Sequence, residues 1–176
     1  MAEELDVTLA NPEAFRAFYE DALPRVYAYV FHRCGGIVPV AEDLTQETFL
    51  AAVTEIKRGK AIADPLAWIL GVAKHKLLDH YRRQERQERK LAMSREAHHS
   101  DAQFFTGNEE GWHDQALATL GSIPVSQRAA LVLRYLDDMS VPEVARAIGR
   151  SVRATESLLA RGRENFKRLY LEVADG

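Results

Sequence analysis

Residues 139–163 read MSVPEVARAIGRSVRATESLLARGR, and this stretch decides the fold because it describes two short helices joined by a glycine turn. Ser140 followed by Glu143 is a capping-box pair, in which each side chain can satisfy a free backbone N–H at a helix start. Pro142 falls in the first turn, where its missing N–H costs nothing. Val144, Ala145 and Ile148 give one apolar face, and Gly149 suits the left-handed position that ends a helix. Ser151 is the natural N-cap of a second helix. There Val152, Thr155, Leu159, Phe166 and Leu169 fall at the spacing of a buried stripe. Arg153, Glu156, Ala160 and Arg163 then face outward. A capped helix, a tight turn and a second helix with an arginine-bearing outer face predict a helix-turn-helix, whose second helix fits the DNA major groove.

Working outward, 176 residues allow one domain or two small ones, and 47% hydrophobic with 28% charged residues describes an ordinary globular chain. No run approaches the roughly 18–20 apolar residues of a membrane span, so no membrane insertion is expected. The acidic start MAEELDVTLANPEAF lacks the basic and apolar regions of a signal peptide. The single cysteine, Cys34, cannot form an internal disulfide, and a cytoplasmic setting is expected. The net charge of −3 hides its distribution. Residues 1–56 carry 3 basic and 10 acidic groups, residues 57–95 carry 11 and 4, and residues 116–176 carry 9 and 7. An acidic block followed directly by a basic one points to two surfaces for different partners, the basic one suited to a polyanion.

Nearly every periodic segment reads as helix. Helices are expected over 12–33, with Pro24 kinking or dividing the first, over 40–57, and over 65–83 continuing to about 90. A basic loop, RGKAIAD, fills 58–64. Residues 91–112 are polar, with scattered apolar residues (Phe104, Phe105 and Trp112), and read as a flexible linker. Four helices follow, over 113–120, 125–136, 140–149 and 151–172. The expected fold is all-α. It has one helical domain over 10–90, a linker over 91–112, and a second domain over 113–176 that carries the helix-turn-helix.

Phosphate-binding loops, dinucleotide fingerprints, HExxH and GxSxG are all missing from the sequence, so an enzyme is not expected, and neither is a cofactor. His98, His99 and His113 lie in or beside the linker without ligand spacing, and no metal is expected. A second signal is the pair AEDLTQETFLAA (41–52) and PLAWILGVAKHKLLDHYRRQ (65–84). In the first, Glu42, Asp43, Gln46 and Glu47 crowd one side of an amphipathic helix. In the second, Trp68, Ile69, Val72, Leu77 and Leu78 can pack inward. Lys74, His75, Lys76, His80, Tyr81, Arg82 and Arg83 offer basic and aromatic groups for phosphates and unpaired bases.

These segments together resemble the extracytoplasmic-function (ECF) sigma factors, the small group within the sigma-70 family of bacterial transcription initiation factors. The likeness spans about residues 12–84 and 114–170. AEDLTQETF resembles the family's region 2.2, and residues 65–83 resemble regions 2.3 to 2.4 through Trp68, Asp79 and Arg82–Arg83. Residues 123–163 resemble region 4 through Pro124, Arg128, Leu133–Arg134, Glu143, Ala145 and Arg161. The resemblance implies that Glu42, Asp43, Gln46, Glu47 and Phe49 dock on the β′ clamp of core RNA polymerase. It implies that Lys60, Lys74, His75, Lys76, Tyr81, Arg82 and Arg83 hold the opened −10 promoter element. Arg150, Ser151, Arg153, Glu156 and Ser157 would meet −35 base edges, where Arg can pair with guanine and Glu with cytosine, and Arg161 and Arg163 would grip phosphates. The β flap and an anti-sigma factor are further implied partners. Lys74-His75 departs from the family's usual Arg-Asn, and histidine lacks the hydrogen bonding of an amide. Thr155 replaces a common aliphatic residue. No extension follows region 4, so regulation by an appended domain is not expected.

The rival is a free-standing helix-turn-helix regulator that binds an operator without polymerase. The acidic helix at 41–52 argues against it, because an operator-binding protein needs no such docking face.

Overall fold

A computed structural model describes residues 9–94 and 111–174. The expectations for His98, His99, Phe104 and Phe105 lie outside the described residues, as does that for the side chain of Trp112. Among the described residues the chain forms seven α-helices and no strand. They are α1 (Pro12–Arg33), α2 (Val38–Lys57), α3 (Pro65–Ser94), α4 (Gly111–Ser122), α5 (Val125–Leu131), α6 (Val141–Ile148) and α7 (Val152–Ala174).

Asn11 caps α1 by accepting the Glu13 N–H at 2.9 Å, with proline in the first turn. Pro24 does not divide this helix, contrary to one reading of its sequence. Pro24 and Glu20, whose carbonyl the ring leaves without a donor, are both exposed, so water can serve the freed group. Ala22, Val26 and Val30 of α1 pack against Ala41, Leu44, Phe49 and Ala52 of α2 and Ile69, Ala73 and Leu77 of α3. Burying each of the larger aliphatic side chains contributes about 1.5–3 kcal/mol. Thr45 and Thr48 can be buried on α2 because their hydroxyls donate to the Ala41 and Leu44 carbonyls, each at 2.7 Å. The basic loop after α2 turns at Gly59, in the left-handed region at φ 77°.

α3 is one 30-residue helix, about 45 Å long, and it runs four residues past the expected end near residue 90. Its second half carries polar residues that pack across the seam to the helices of the second unit. α5 passes directly into a π-helical turn over Val132–Leu136, which shares the 125–136 segment with it. α7 lies across α4, α5 and α6, held by Gln115 donating to the Tyr170 carbonyl at 2.9 Å and by Asn165 donating to Gln127 at 2.8 Å. The two helical units are pressed together, and one continuous set of buried side chains runs through both.

Candidate nucleic-acid interface

The helix-turn-helix forms as its capping residues dictate. Glu143 Oε2 accepts the Ser140 N–H at 2.7 Å and the Ser140 hydroxyl at 2.6 Å. Gly149 sits at φ 71°, ψ 37°, and the next N–H, of Arg150, closes back on the Ala145 carbonyl at 2.9 Å. Ser151 then caps α7 by accepting the Ala154 N–H at 3.2 Å. The hydroxyl and N–H of Ser140 hold the Glu143 carboxyl below the ordinary glutamate range. A depressed carboxyl stabilises the fold above the unfolded-state pKa, and the contribution is lost as pH falls through the folded value. The melting-temperature gap between the native chain and a Glu143→Ala variant is therefore expected to be widest near neutrality and to close in acid. A gap that stays constant to acid pH would refute the ionic cap.

On α7 the outer face carries Ser151, Arg153, Glu156, Ser157, Arg161 and Arg163, all exposed. Arg163 also donates to the Tyr135 hydroxyl at 3.2 Å. Val152, expected in the buried stripe, is exposed as the first residue of the helix. The stripe begins one turn later with Thr155, Leu158 and Leu159. Thr155 is fully buried without an orphaned hydroxyl, because Oγ1 donates to the Ser151 carbonyl at 2.9 Å. Arg150, expected at DNA, is half-buried, and its guanidinium is bound to the Glu85 carboxylate of α3.

In the first unit, Glu42, Asp43 and Gln46 stand exposed on α2. Glu47 is turned toward α3, 3.8 Å from Lys76 and 3.7 Å from Arg83. Phe49 is 6% exposed, in an edge-on contact with Tyr19 at 4.7 Å. Its expected contact with a partner is corrected: it seats α2 in the core. Lys76, Asp79, Arg82, Arg83 and Arg86 with Glu47 line a basic groove of about 340 Å³ between α2 and α3. Lys60 lies 5.9 Å from the Trp68 ring at the loop end of α3, and His75 is exposed. Tyr81, expected to stack on a base, is 2% exposed and donates its hydroxyl to the Arg33 carbonyl, so it is a core residue. Arg82 donates to the Ala147 carbonyl of α6 at 2.7 Å.

His80, one turn before Arg83, is neutral at pH 7. Burial, then the charges of Arg83 and Arg128, pull its imidazole from 6.5 down to about 4 against the weaker pull of Asp43. The folded chain thus binds fewer protons here than the unfolded chain between those values, and stability falls as pH drops from 6.5 toward 4. A His80→Gln variant is expected to flatten that part of the stability–pH curve, measured by urea unfolding. An unchanged curve would exclude His80 as the source.

Several residues that organise the site have no local signal in the sequence. Arg128 is 4% exposed and donates to four carbonyls, and Arg33 pairs with Asp137 at 2.8 Å from 104 residues away. Glu85 and Glu88 face the second unit. Among the described residues no group of histidine, cysteine and carboxylate side chains is placed to hold a metal ion, and no helix is long and apolar enough to cross a membrane.

Sigma-70 region 2 matches residues 18–87, and sigma-70 region 4 matches residues 113–166. The ECF RNA polymerase sigma factor SigC of Mycobacterium tuberculosis is 30% identical over 162 residues, covering 91% of this chain and 85% of that protein. The chain belongs to the sigma-70 family. Its relatives place it with the ECF RNA polymerase sigma factors, which are transcription initiation factors. BldN of Streptomyces coelicolor, another ECF sigma factor, is 29% identical over 92% of this chain and 62% of its own length. Among solved structures, the sigma factor RpoE in complex with the anti-sigma factor NepR, from Bartonella quintana, aligns with a TM-score of 0.47 at 18% identity. That alignment covers 89% of this chain and 96% of RpoE. In this sigma factor α1–α3 carry region 2, and α4–α7 carry region 4.

Proposed function

We propose that this sigma factor docks on core polymerase through Glu42, Asp43 and Gln46 of α2 and brings two DNA-facing surfaces to a promoter. The observation that carries the reading is the pairing, within one three-helix unit, of an exposed acidic row on α2 with the basic groove of α3. The acidic row suits a protein partner, since carboxylates repel DNA. The groove suits a phosphate backbone, with Lys76 and Arg83 as phosphate ligands, while Lys74, His75 and Lys60 lie outside it and offer further basic groups toward the start of α3. Glu47 contributes by positioning Lys76 and Arg83. In region 4, Arg153, Glu156 and Ser157 approach base edges in the major groove, and Arg161 and Arg163 grip phosphates. Arg150 and Arg82 join them when released from their contacts with Glu85 and Ala147. The polymerase β′ clamp and β flap, promoter DNA and an anti-sigma factor are the partners of this reading, and the cytoplasm is its setting. No catalytic residue is involved.

The test is initiation in vitro with purified bacterial core polymerase. Asp43→Lys, alone and with Glu42→Lys, is expected to reduce core co-purification and promoter-specific transcripts at least about tenfold, while the circular dichroism spectrum stays helical. Retention of full polymerase binding by the double variant would sink the docking assignment.

A further inference from the structure

Between α1 and α4 lies a wedge lined by groups that play no part in the DNA-facing surfaces. The two helices meet just past the end of α1, where a Cβ on Gly35 would stand 2.7 Å from the Gly121 backbone in the last turn of α4. From that contact α1 runs back through Phe31 to Tyr27, and α4 runs back through Ala118 and Leu117 to Asp114, each at helical spacing. The space left between them is about 340 Å³. Its aromatic wall is a stacked pair, Tyr27 and Phe31, with ring centroids 5.7 Å apart. Gly36 keeps the floor open, because a Cβ there would come within 2.9 Å of Leu117 Cγ. Among the described residues Asp114 is the single charge in the lining, and no basic side chain joins it. Glu42 of α2 stands close enough to add to the effect of burial in pushing up the pKa of the Tyr27 hydroxyl. A second carboxylate therefore bears on the mouth.

We infer that this wedge binds a small organic cation, an ammonium or guanidinium carried on an aromatic or branched apolar body. The apolar body replaces water against Phe31, Leu117 and Ala118. The cationic head meets Asp114 at the rim, where a charge-assisted hydrogen bond is roughly twice as strong as a neutral one. The faces of Tyr27 and Phe31 attract a cation through their ring quadrupoles. An anion would meet two carboxylates and no basic partner, so anionic ligands are repelled. The dimensions select a small molecule over a protein. Small-ligand pockets run from about 300 to 1,000 Å³, whereas a stable protein interface covers about 800 Å² on each partner. A bound cation adds contacts to both α1 and α4 and stabilises the folded chain by mass action. Nothing in this site depends on what the DNA-facing surfaces bind.

The probe is 2-phenylethylamine, protonated at neutral pH, with 2-phenylethanol and phenylacetate as neutral and anionic analogues of similar size. Binding to the full chain is measured by ligand-observed NMR titration, and stabilisation by thermal unfolding. The amine is expected to bind at least about tenfold more tightly than the alcohol, and phenylacetate not at all. Saturating amine should raise the melting temperature. Asp114→Asn should bring the amine down to the affinity of the alcohol. Ala118→Phe, which fills the wedge, should abolish binding of both. Glu164→Gln, at an exposed carboxylate on α7, should change neither affinity, which separates the wedge from general attraction to an acidic chain. Equal affinity for amine and alcohol overturns the cationic class. Amine binding that survives both Asp114→Asn and Ala118→Phe overturns the site, and so does the failure of every probe to bind. A Lys-Phe-Lys amide that binds while the amine does not would give the wedge to a protein segment and overturn the small-molecule assignment. Should Ala118→Phe lose its helical spectrum, Asp114→Asn decides on the same readouts.

Discussion

Arg128→Ala is expected to destabilise the chain by about 3–5 kcal/mol, the largest loss from any single side chain here. The guanidinium lies inside α5 and donates to Leu120 at 2.9 Å, Gly121 at 2.8 Å, Ile123 at 3.3 Å and, across the seam, Cys34 at 3.0 Å. Two of these carbonyls belong to the last turn of α4, whose acceptors have no partner within their own helix. Alanine would leave all four carbonyls buried and unpaired and would open a cavity as well. Burial pulls the Arg128 guanidinium below its usual pKa, yet arginine remains charged at any working pH. Lysine keeps the charge but not the fork, and Arg128→Lys is expected to lose about half as much. Urea unfolding followed by circular dichroism measures both. A loss under about 1 kcal/mol for the alanine variant would mean that water reaches these carbonyls.

Gly35→Ala is expected to cost about 3 kcal/mol or to force the two units apart. A Cβ at position 35 would stand 2.7 Å from both Cα and N of Gly121 and 3.1 Å from the Leu120 carbonyl carbon. Those atoms are backbone, so no rotamer change relieves the clash. The backbone at Gly35 is also left-handed, at φ 78°. Gly59 supplies the control. Its φ is 77°, but nothing lies within 4 Å of an added Cβ, so Gly59→Ala should show the strain alone, about 1 kcal/mol. Equal losses at the two positions, measured by thermal unfolding, would show that the approach of α1 to α4 is not tight.

What the sequence made legible was local. The capping residues Ser140 and Glu143, the turn at Gly149 and the cap at Ser151 act over three or four positions, and the helix-turn-helix follows from them without reference to the rest of the chain. The acidic and basic blocks sorted α2 from α3 for the same reason. Facing was harder wherever a residue suits either side. Tyr81 and Phe49 carry rings that serve equally as core or as contact surface, and only the packing of α1 against them decides. Val152 has the right spacing but lies at the very start of α7, where a stripe need not yet be covered. The seam was beyond reach, because Arg33–Asp137 and Glu85–Arg150 join charges 104 and 65 residues apart, and in the sequence each looks like any solvated ion. The position of Arg150 was foreseen; its engagement was not.

α3 carries the groove residues Lys76 and Arg83 and, within about a turn, Glu85 and Glu88 on a single hydrogen-bonded rod. No hinge separates them, so the angle between the two sets is a matter of residue count. One residue inserted between Arg83 and Glu85 would rotate everything beyond it by about 100° and advance it by about 1.5 Å. Lys76, Asp79, Arg82 and Arg83 would keep their places in the groove, while Arg86 left it and both glutamates swung away from α7 and α5. Length in that short interval is therefore constrained even where residue identity is not, and a homologue that differs there by a single insertion would keep its composition and charge but lose the register between its two halves.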